Sequence, residues 1–157
     1  MRAIVFLDID GVLVNRHSLM VRSGGYSKAD ERCVRALNRI TQAAGAGIVV
    51  TSSWRIETPL SALRVMLRAW GVQAPVEGET PQLEAEGGTP AVARGRGAEI
   101  QAWLDSRPGA VESFVILDDD EVVGPLVSRL VQTAFDEGLT EADADRALEL
   151  LRNFNAR

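Results

Sequence analysis

The chain has 157 residues, 46% hydrophobic and 25% charged, with a formal net charge of −5. That length supports one domain with a real core, and the composition is that of a soluble globular protein. The acidity excludes a surface built as a whole to attract nucleic acid, but a local basic groove stays open, because all but one of the 17 basic residues are Arg. The chain has one Lys (Lys28), one His (His17) and one Cys (Cys33), which excludes an intrachain disulfide framework and a cysteine-based zinc site. A Ser-His-Asp hydrolase would have to use His17, and no nucleophile elbow lies near it. No apolar run reaches the roughly 20 residues of a membrane span. Asp8 and Asp10 interrupt the N-terminal apolar run before any leader cleavage site. The expectation is a single domain over 1–157, cytoplasmic and without a membrane partner.

Residues 3–7 form a continuous apolar run ending at Asp8, the pattern of a buried parallel strand. Residues 15–27 fit neither strand nor helix. Residues 28–44 read as a helix with Cys33, Leu37, Ile40 and Ala44 on one face, stopping at Gly45 and Gly47. A second apolar strand at 48–50 leads into Thr51. Thr58-Pro59 predicts an N-cap and first helical position for a helix carrying Leu60, Leu63, Leu67 and Trp70, closed by Gly71. Residues 72–76 are a candidate short strand, interrupted by Pro75. The Gly-, Glu- and Pro-rich stretch 77–96 fits neither pattern, and an irregular segment of that length is usually functional or mobile. A helix follows over 97–107 with Ile100, Trp103 and Leu104, then a strand at 114–117 before Asp118 and a weaker one at 130–131 before Thr133. Thr140-Glu-Ala-Asp143 has the form of a capping box, opening a last helix with Ala144, Ala147, Leu148 and Leu151 inward. Strands alternating with helices predict an α/β fold, a doubly wound and mainly parallel five-stranded sheet.

The polar residues at the strand ends carry the chemistry. Asp8 and Asp10 follow the first strand, Thr51 and Ser52 the second, and Asp118, Asp119 and Asp120 a later one. In an open α/β sheet, ligands bind outside the carboxyl ends of the strands where the strand order reverses. Carboxylates gathered there repel each other and bind protons unless a cation neutralises them. A hard cation with oxygen ligands and retained waters suits such a cluster, which describes Mg²⁺. One carboxylate can then attack phosphorus to form an aspartyl-phosphate. A neighbouring acid can protonate the leaving oxygen and later deprotonate water, while hydroxyls, backbone N–H groups and a cation hold the phosphoryl oxygens.

Phe6-Leu-Asp8-Ile-Asp10-Gly11-Val-Leu13 resembles the hhDxDGxh signature of the haloacid dehalogenase (HAD) superfamily. Val50-Thr51-Ser52-Ser53 is similar to its second motif, and Val115-Ile-Leu-Asp118-Asp119 to its fourth. The resemblance covers nearly the whole chain and implies a HAD-like Rossmannoid phosphatase. It implies Asp8 as nucleophile and metal ligand, and Asp10 as general acid/base with its backbone carbonyl also on the metal. Thr51 would bind the phosphoryl group, with Ser52 as its neighbour or substitute. Asp118 would ligate Mg²⁺, directly or through water, with Asp119 supporting. The dehalogenases of the superfamily lack the second acid of DxD, so Asp10 favours phosphate chemistry. The third motif needs a Lys or Arg near the start of the helix before the acidic strand. Arg94 and Arg96 both qualify, and Arg96 is preferred because it directly precedes Gly-Ala-Glu-Ile-Gln-Ala-Trp-Leu.

Thr51-Ser-Ser-Trp-Arg55, Arg96 to Leu104, Ile116 to Asp120 and Leu130-Val-Gln-Thr133 with Gly138-Leu-Thr140 more narrowly resemble the HAD domain associated with Swiss Army knife RNA repair proteins. No insertion large enough for a cap domain follows Gly11 or the second helix, so an open site is expected. Such a site admits nucleic-acid ends and small phosphorylated molecules alike.

Other features read more plainly. Arg55 is open between a phosphate contact and an ion pair. Trp54 is open between a base-stacking platform and a ring packed over the sheet edge. Cys33 to Arg39 fits the C-x5-R spacing of cysteine-dependent phosphatases, but the residues between continue a helical period, so Cys33 reads as core. The expected function is a Mg²⁺-dependent phosphomonoesterase acting on nucleotide or nucleic-acid terminal phosphates. The alternatives are a phosphatase of a small metabolite, a phospho-receiver, or a non-catalytic binding module. A receiver needs a Lys at the end of the last strand, where residues 128–133 offer only Arg129. Intact Asp8, Asp10, Thr51 and Asp118 speak against a binding module. An oligomeric partner is not specified by these patterns.

Overall fold

The computed structural model describes residues 2–20, 28–83, 95–121 and 123–153. Five strands, β1 (Arg2–Leu7), β2 (Gly47–Val50), β3 (Val76–Glu79), β4 (Val111–Asp118) and β5 (Leu130–Gln132), form one sheet in the order β3-β2-β1-β4-β5. Every pairing is parallel. Five helices accompany them: α1 (Arg16–Met20), α2 (Glu31–Ala44), α3 (Leu60–Ala69), α4 (Gly95–Asp105) and α5 (Glu141–Arg152). The α/β fold with a parallel five-stranded sheet is as the sequence predicts, and no large cap is evident among the described residues.

The central strand shows why the first apolar run has no polar alternation. Val5 and Leu7 enter a core with Leu37 and Ile40 of α2, Leu63 and Leu67 of α3, and Ala147 and Leu148 of α5. Ile4 and Phe6 enter the opposite core with Ile100 and Trp103 of α4. A strand covered on both faces must be apolar at every position. Phe6 meets Trp103 and Phe114 edge-on, with ring centroids 5.5 and 5.7 Å apart, an arrangement that suits the aromatic quadrupoles.

Several boundaries differ from the sequence reading. The third strand lies at Val76–Glu79, beyond the 72–76 expected. Pro75 has no N–H to give, and its carbonyl accepts from Ile48 N–H at 2.9 Å, so the ladder begins after it. Thr58 does not cap α3. Pro59 takes the N-cap position with no side-chain capping bond, while Thr58 N–H donates to the Trp54 carbonyl at 3.0 Å and closes the turn before the helix. The short helix α1 falls in a segment that carries no clear period. The capping box at α5 is present in full, with Thr140 and Asp143 each accepting the other's backbone N–H.

The start of α2 is the best-tied helix end. Asp30 is the N-cap and accepts from Arg32 N–H at 2.9 Å, from the Arg32 guanidinium at 3.0 and 3.3 Å, and from Asn15 Nδ2 at 2.9 Å. Hydrogen bonding from Arg32, helped by Asn15, holds the Asp30 carboxyl well below the usual carboxylate range, although burial pushes the other way. A carboxyl depressed in the folded state stabilises fully above its ordinary value near ~4, and that contribution is lost as pH falls toward the depressed value. Asp30→Ala is expected to cost about 1–3 kcal/mol at neutral pH through the lost cap and the orphaned Asn15. Urea unfolding of both proteins at pH 7 and pH 3 checks this: the gap should narrow at the lower pH, and an unchanged gap would refute it.

Candidate active site

The register of the sheet brings the acids together. Leu7 of β1 pairs with Leu117 of β4, and Asp8 N–H donates to the Leu117 carbonyl at 3.0 Å. Asp8 and Asp118 therefore leave adjacent parallel strands side by side. After β1 the chain runs to β2 and β3 on one side and returns to β4 on the other, so this is where the strand order reverses. Asp8, Asp118 and Asp119 each offer one carboxylate oxygen, and those oxygens all lie within 4.8 Å of one another. Asp8 and Asp118 are almost wholly buried, at 4% and 1% exposure.

Arg96, in the first turn of α4, closes the cluster. Its Nη1 lies 3.0 Å from Asp8 Oδ2 and 2.5 Å from Asp118 Oδ2. The turn can sit so close because Gly97 has no side chain: a Cβ there would collide with the Val123 backbone behind the acidic loop. Arg94, the other candidate for this cation, lies outside the described residues.

Two further groups fix the first loop. Gly11 has φ +81°, and a Cβ on it would collide with the Asp119 carboxylate, so both conformation and space require glycine. Thr133, just after β5, donates its hydroxyl to the Gly11 carbonyl at 2.6 Å and its N–H to the Asp118 carbonyl at 2.9 Å. One residue thus ties both acidic loops together. The Asp10 carboxylate lies outside the three-acid group and accepts from Trp54 Nε1–H at 2.7 Å.

The second loop brings hydroxyls. Thr51 N–H donates to the Leu7 carbonyl at 2.9 Å, which places Thr51 beside the start of the Asp8 loop. Its Oγ1 is buried without a hydrogen-bond partner among the described residues, a costly state unless a ligand completes it. Ser52 Oγ accepts from Trp54 N–H at 3.2 Å and caps a short 3₁₀ turn, Ser53–Ile56.

Arg55 requires a correction. Its five N–H groups go to the carbonyls of Thr51, Ser52, Thr80 and Pro81 and to Glu99 Oε2, the last at 2.5 Å. It is buried and fully engaged, with no donor left for a phosphate. Glu99, three residues beyond Arg96, went unnoticed in the sequence; its signal was an acid beside Ile100 on the apolar side of the helix. Asp120 gives its N–H to Asp118 Oδ1 at 3.0 Å and supports the loop. His17 is exposed on α1, away from any of these contacts. Cys33 is buried in α2, and burial pushes its thiol up to about 11, so it is no nucleophile.

The electrostatics follow from this packing. Burial, then the charge of Asp118, pushes the Asp8 carboxyl up to about 7, against the opposing pull of Arg96 and the Ile9 N–H. Asp119 is raised by burial and by Asp118. Burial works against the Arg96 charge, but Asp8 and Asp118 outweigh it and hold the guanidinium firmly protonated. One guanidinium against three carboxylates leaves an excess of negative charge. An all-oxygen donor set with that excess fits a hard divalent cation such as Mg²⁺.

No helix among the described residues is long and apolar enough to cross a membrane. No curated protein and no solved structure matches the chain. The model of one family, described as the HAD domain in Swiss Army Knife RNA repair proteins, matches residues 4–144. That span runs from the middle of β1 into α5 and contains every acid and the guanidinium of the site, and the chain belongs to this family.

Proposed function

We propose that the protein is a Mg²⁺-dependent phosphomonoesterase that works through an aspartyl-phosphate on Asp8. The observation that carries this reading is the convergence of Asp8, Asp118 and Asp119 around Arg96 at the switch point of the sheet. Asp8 and Asp118, with Asp119 in support, are the residues that would hold the cation. Bound there, Mg²⁺ supplies the positive charge that lets an anionic phosphoryl group approach a carboxylate.

The chain's own groups divide the remaining work. An Asp8 oxygen forms the bond to phosphorus as the bond to the leaving oxygen breaks. Ile9 N–H, 2.9 Å from Asp8 Oδ1, and Arg96 on Oδ2 hold the carboxylate in place for that attack. Thr51 Oγ1, buried and unpartnered, is the donor for a phosphoryl oxygen. Asp10 gives a proton to the leaving oxygen, then takes one from the water that releases phosphate and restores Asp8.

The substrate we propose is a nucleotide or nucleic-acid terminal phosphate. Membership in a family described by RNA repair proteins supports it, as does a site with no large cap evident among the described residues. The net charge of −5 means that contacts to a chain would be few and local. Arg16 is exposed and paired with Asp136 at 2.8 Å, and Arg55 is unavailable. Arg55 therefore adds no contact to a chain.

Two expected outcomes test these statements. EDTA should abolish turnover of an aryl phosphate and added Mg²⁺ should restore it; undiminished activity after verified metal removal would contradict the mechanism. In a panel of sugar phosphates and 3′- or 5′-phosphorylated oligonucleotides, the oligonucleotides should show the higher kcat/KM. Better turnover of sugar phosphates than of every oligonucleotide would replace this substrate class with small metabolites.

A further inference from the structure

One side-chain contact joins the loop after β2 to the loop after β1, and it runs through a tryptophan. Trp54 is anchored on three sides. Its N–H donates to Ser52 Oγ at 3.2 Å, and its carbonyl accepts from Thr58 N–H at 3.0 Å. Its ring meets Trp70 edge-on, with centroids 5.9 Å apart and planes at 72°. From that fixed position Nε1–H donates to Asp10 Oδ2 at 2.7 Å, across 44 residues of sequence. A cleft of about 500 Å³ opens alongside, lined by Asp10, Trp54, Ile56 and Glu57 among others.

An indole N–H can only donate. The oxygen that accepts from it cannot direct a proton of its own along the same line. A carbonyl oxygen is the better acceptor, so when Asp10 is protonated the indole favours the proton on Oδ1, the oxygen that it leaves free. We infer that Trp54 is a positioning residue for Asp10: its indole holds Oδ2 and keeps the transferable proton on Oδ1, the oxygen left for the leaving group. This rests on the phosphatase reading above.

The indole itself transfers nothing. In the first half-reaction an Asp8 oxygen bonds to phosphorus, and the bond to the leaving oxygen breaks with its electron pair going to that oxygen. That oxygen receives the Oδ1 proton of Asp10. In the second half-reaction the Asp10 carboxylate takes a proton at Oδ1 from water. The water oxygen bonds to phosphorus, and the bond to Asp8 breaks and returns its carboxylate. Without the indole N–H the proton can occupy either oxygen and the carboxyl can turn. The loss matters most for leaving groups that depend on protonation.

Trp54→Phe keeps an aromatic ring on the Trp70 side and removes the donor, at the cost of a smaller ring. Its kcat should fall about tenfold further on an alkyl phosphate than on p-nitrophenyl phosphate. Equal losses on the two substrates, or none, would overturn the proposal. A wild-type protein inactive toward both would refute the phosphatase reading instead, and the contact is then read by nitrogen-edited NMR of the indole N–H groups. The Trp54 resonance, identified by its disappearance in Trp54→Phe, should shift and exchange faster in Asp10→Ala while that of Trp103 stays in place. A Trp54 resonance that does not move would overturn the contact whatever the activity.

Discussion

The structure is organised around a repulsion. Parallel pairing of β1 with β4 in the register Leu7 to Leu117 sets Asp8 and Asp118 side by side, and Asp119 follows at once. Burial, and then the charge of Asp118, pushes the Asp8 carboxyl up to about 7, since like charges this close raise one another's proton affinity. No local packing arrangement calls for such a cluster. A fold keeps it only where something positive is held against it, and among the described residues that is Arg96.

Much of the surrounding structure serves to keep that one guanidinium and those three acids in register. Thr133 ties the two acidic loops together, and Gly11 and Gly97 allow approaches that no side chain would permit. The Arg55–Glu99 pair does the same on the other side. Arg55 gathers the carbonyls of the second loop and of the segment after β3, and Glu99 links them to α4, the helix that carries Arg96. Removing one partner of such a buried pair leaves the other charge stranded, typically at about 3–5 kcal/mol. A hydrophobic pair of similar size is often as stable, but it would not bind the carbonyls that Arg55 gathers.

The sheet and the acidic ends of its strands were legible because both depend on local pattern. Apolar runs ending in Asp8, Thr51 and Asp118 report doubly covered parallel strands with polar residues at their ends, and Arg96 came from the resemblance to the superfamily's third motif, by its place at the start of α4. The details that depend on tertiary partners were not legible. Pro75 moved β3 because ladder pairing, not apolarity, decides where a strand starts. Thr58 is not the cap of α3, because Pro59 takes the N-cap position and no side chain caps the helix. Arg55 is open in sequence between a phosphate contact and an ion pair, and only the placement of Glu99 and four carbonyls shows that its donors are spent. Trp54 is open in sequence between a stacking platform and a ring packed over the sheet edge, and neither reading anticipates the bond from its N–H to Asp10. Charge and periodicity can be read along a chain, but the partner of a polar group cannot.

The central claim is that Asp8 is the atom donor to phosphorus. Mixing the protein with a phosphorylated substrate and Mg²⁺, quenching within the turnover time and reducing with borohydride converts an aspartyl-phosphate to homoserine. Mass spectrometry of the digested chain then locates it. The account predicts homoserine at position 8 and nowhere else, with none in Asp8→Asn. Homoserine at another acid, or continued turnover with no trapped adduct, would contradict it.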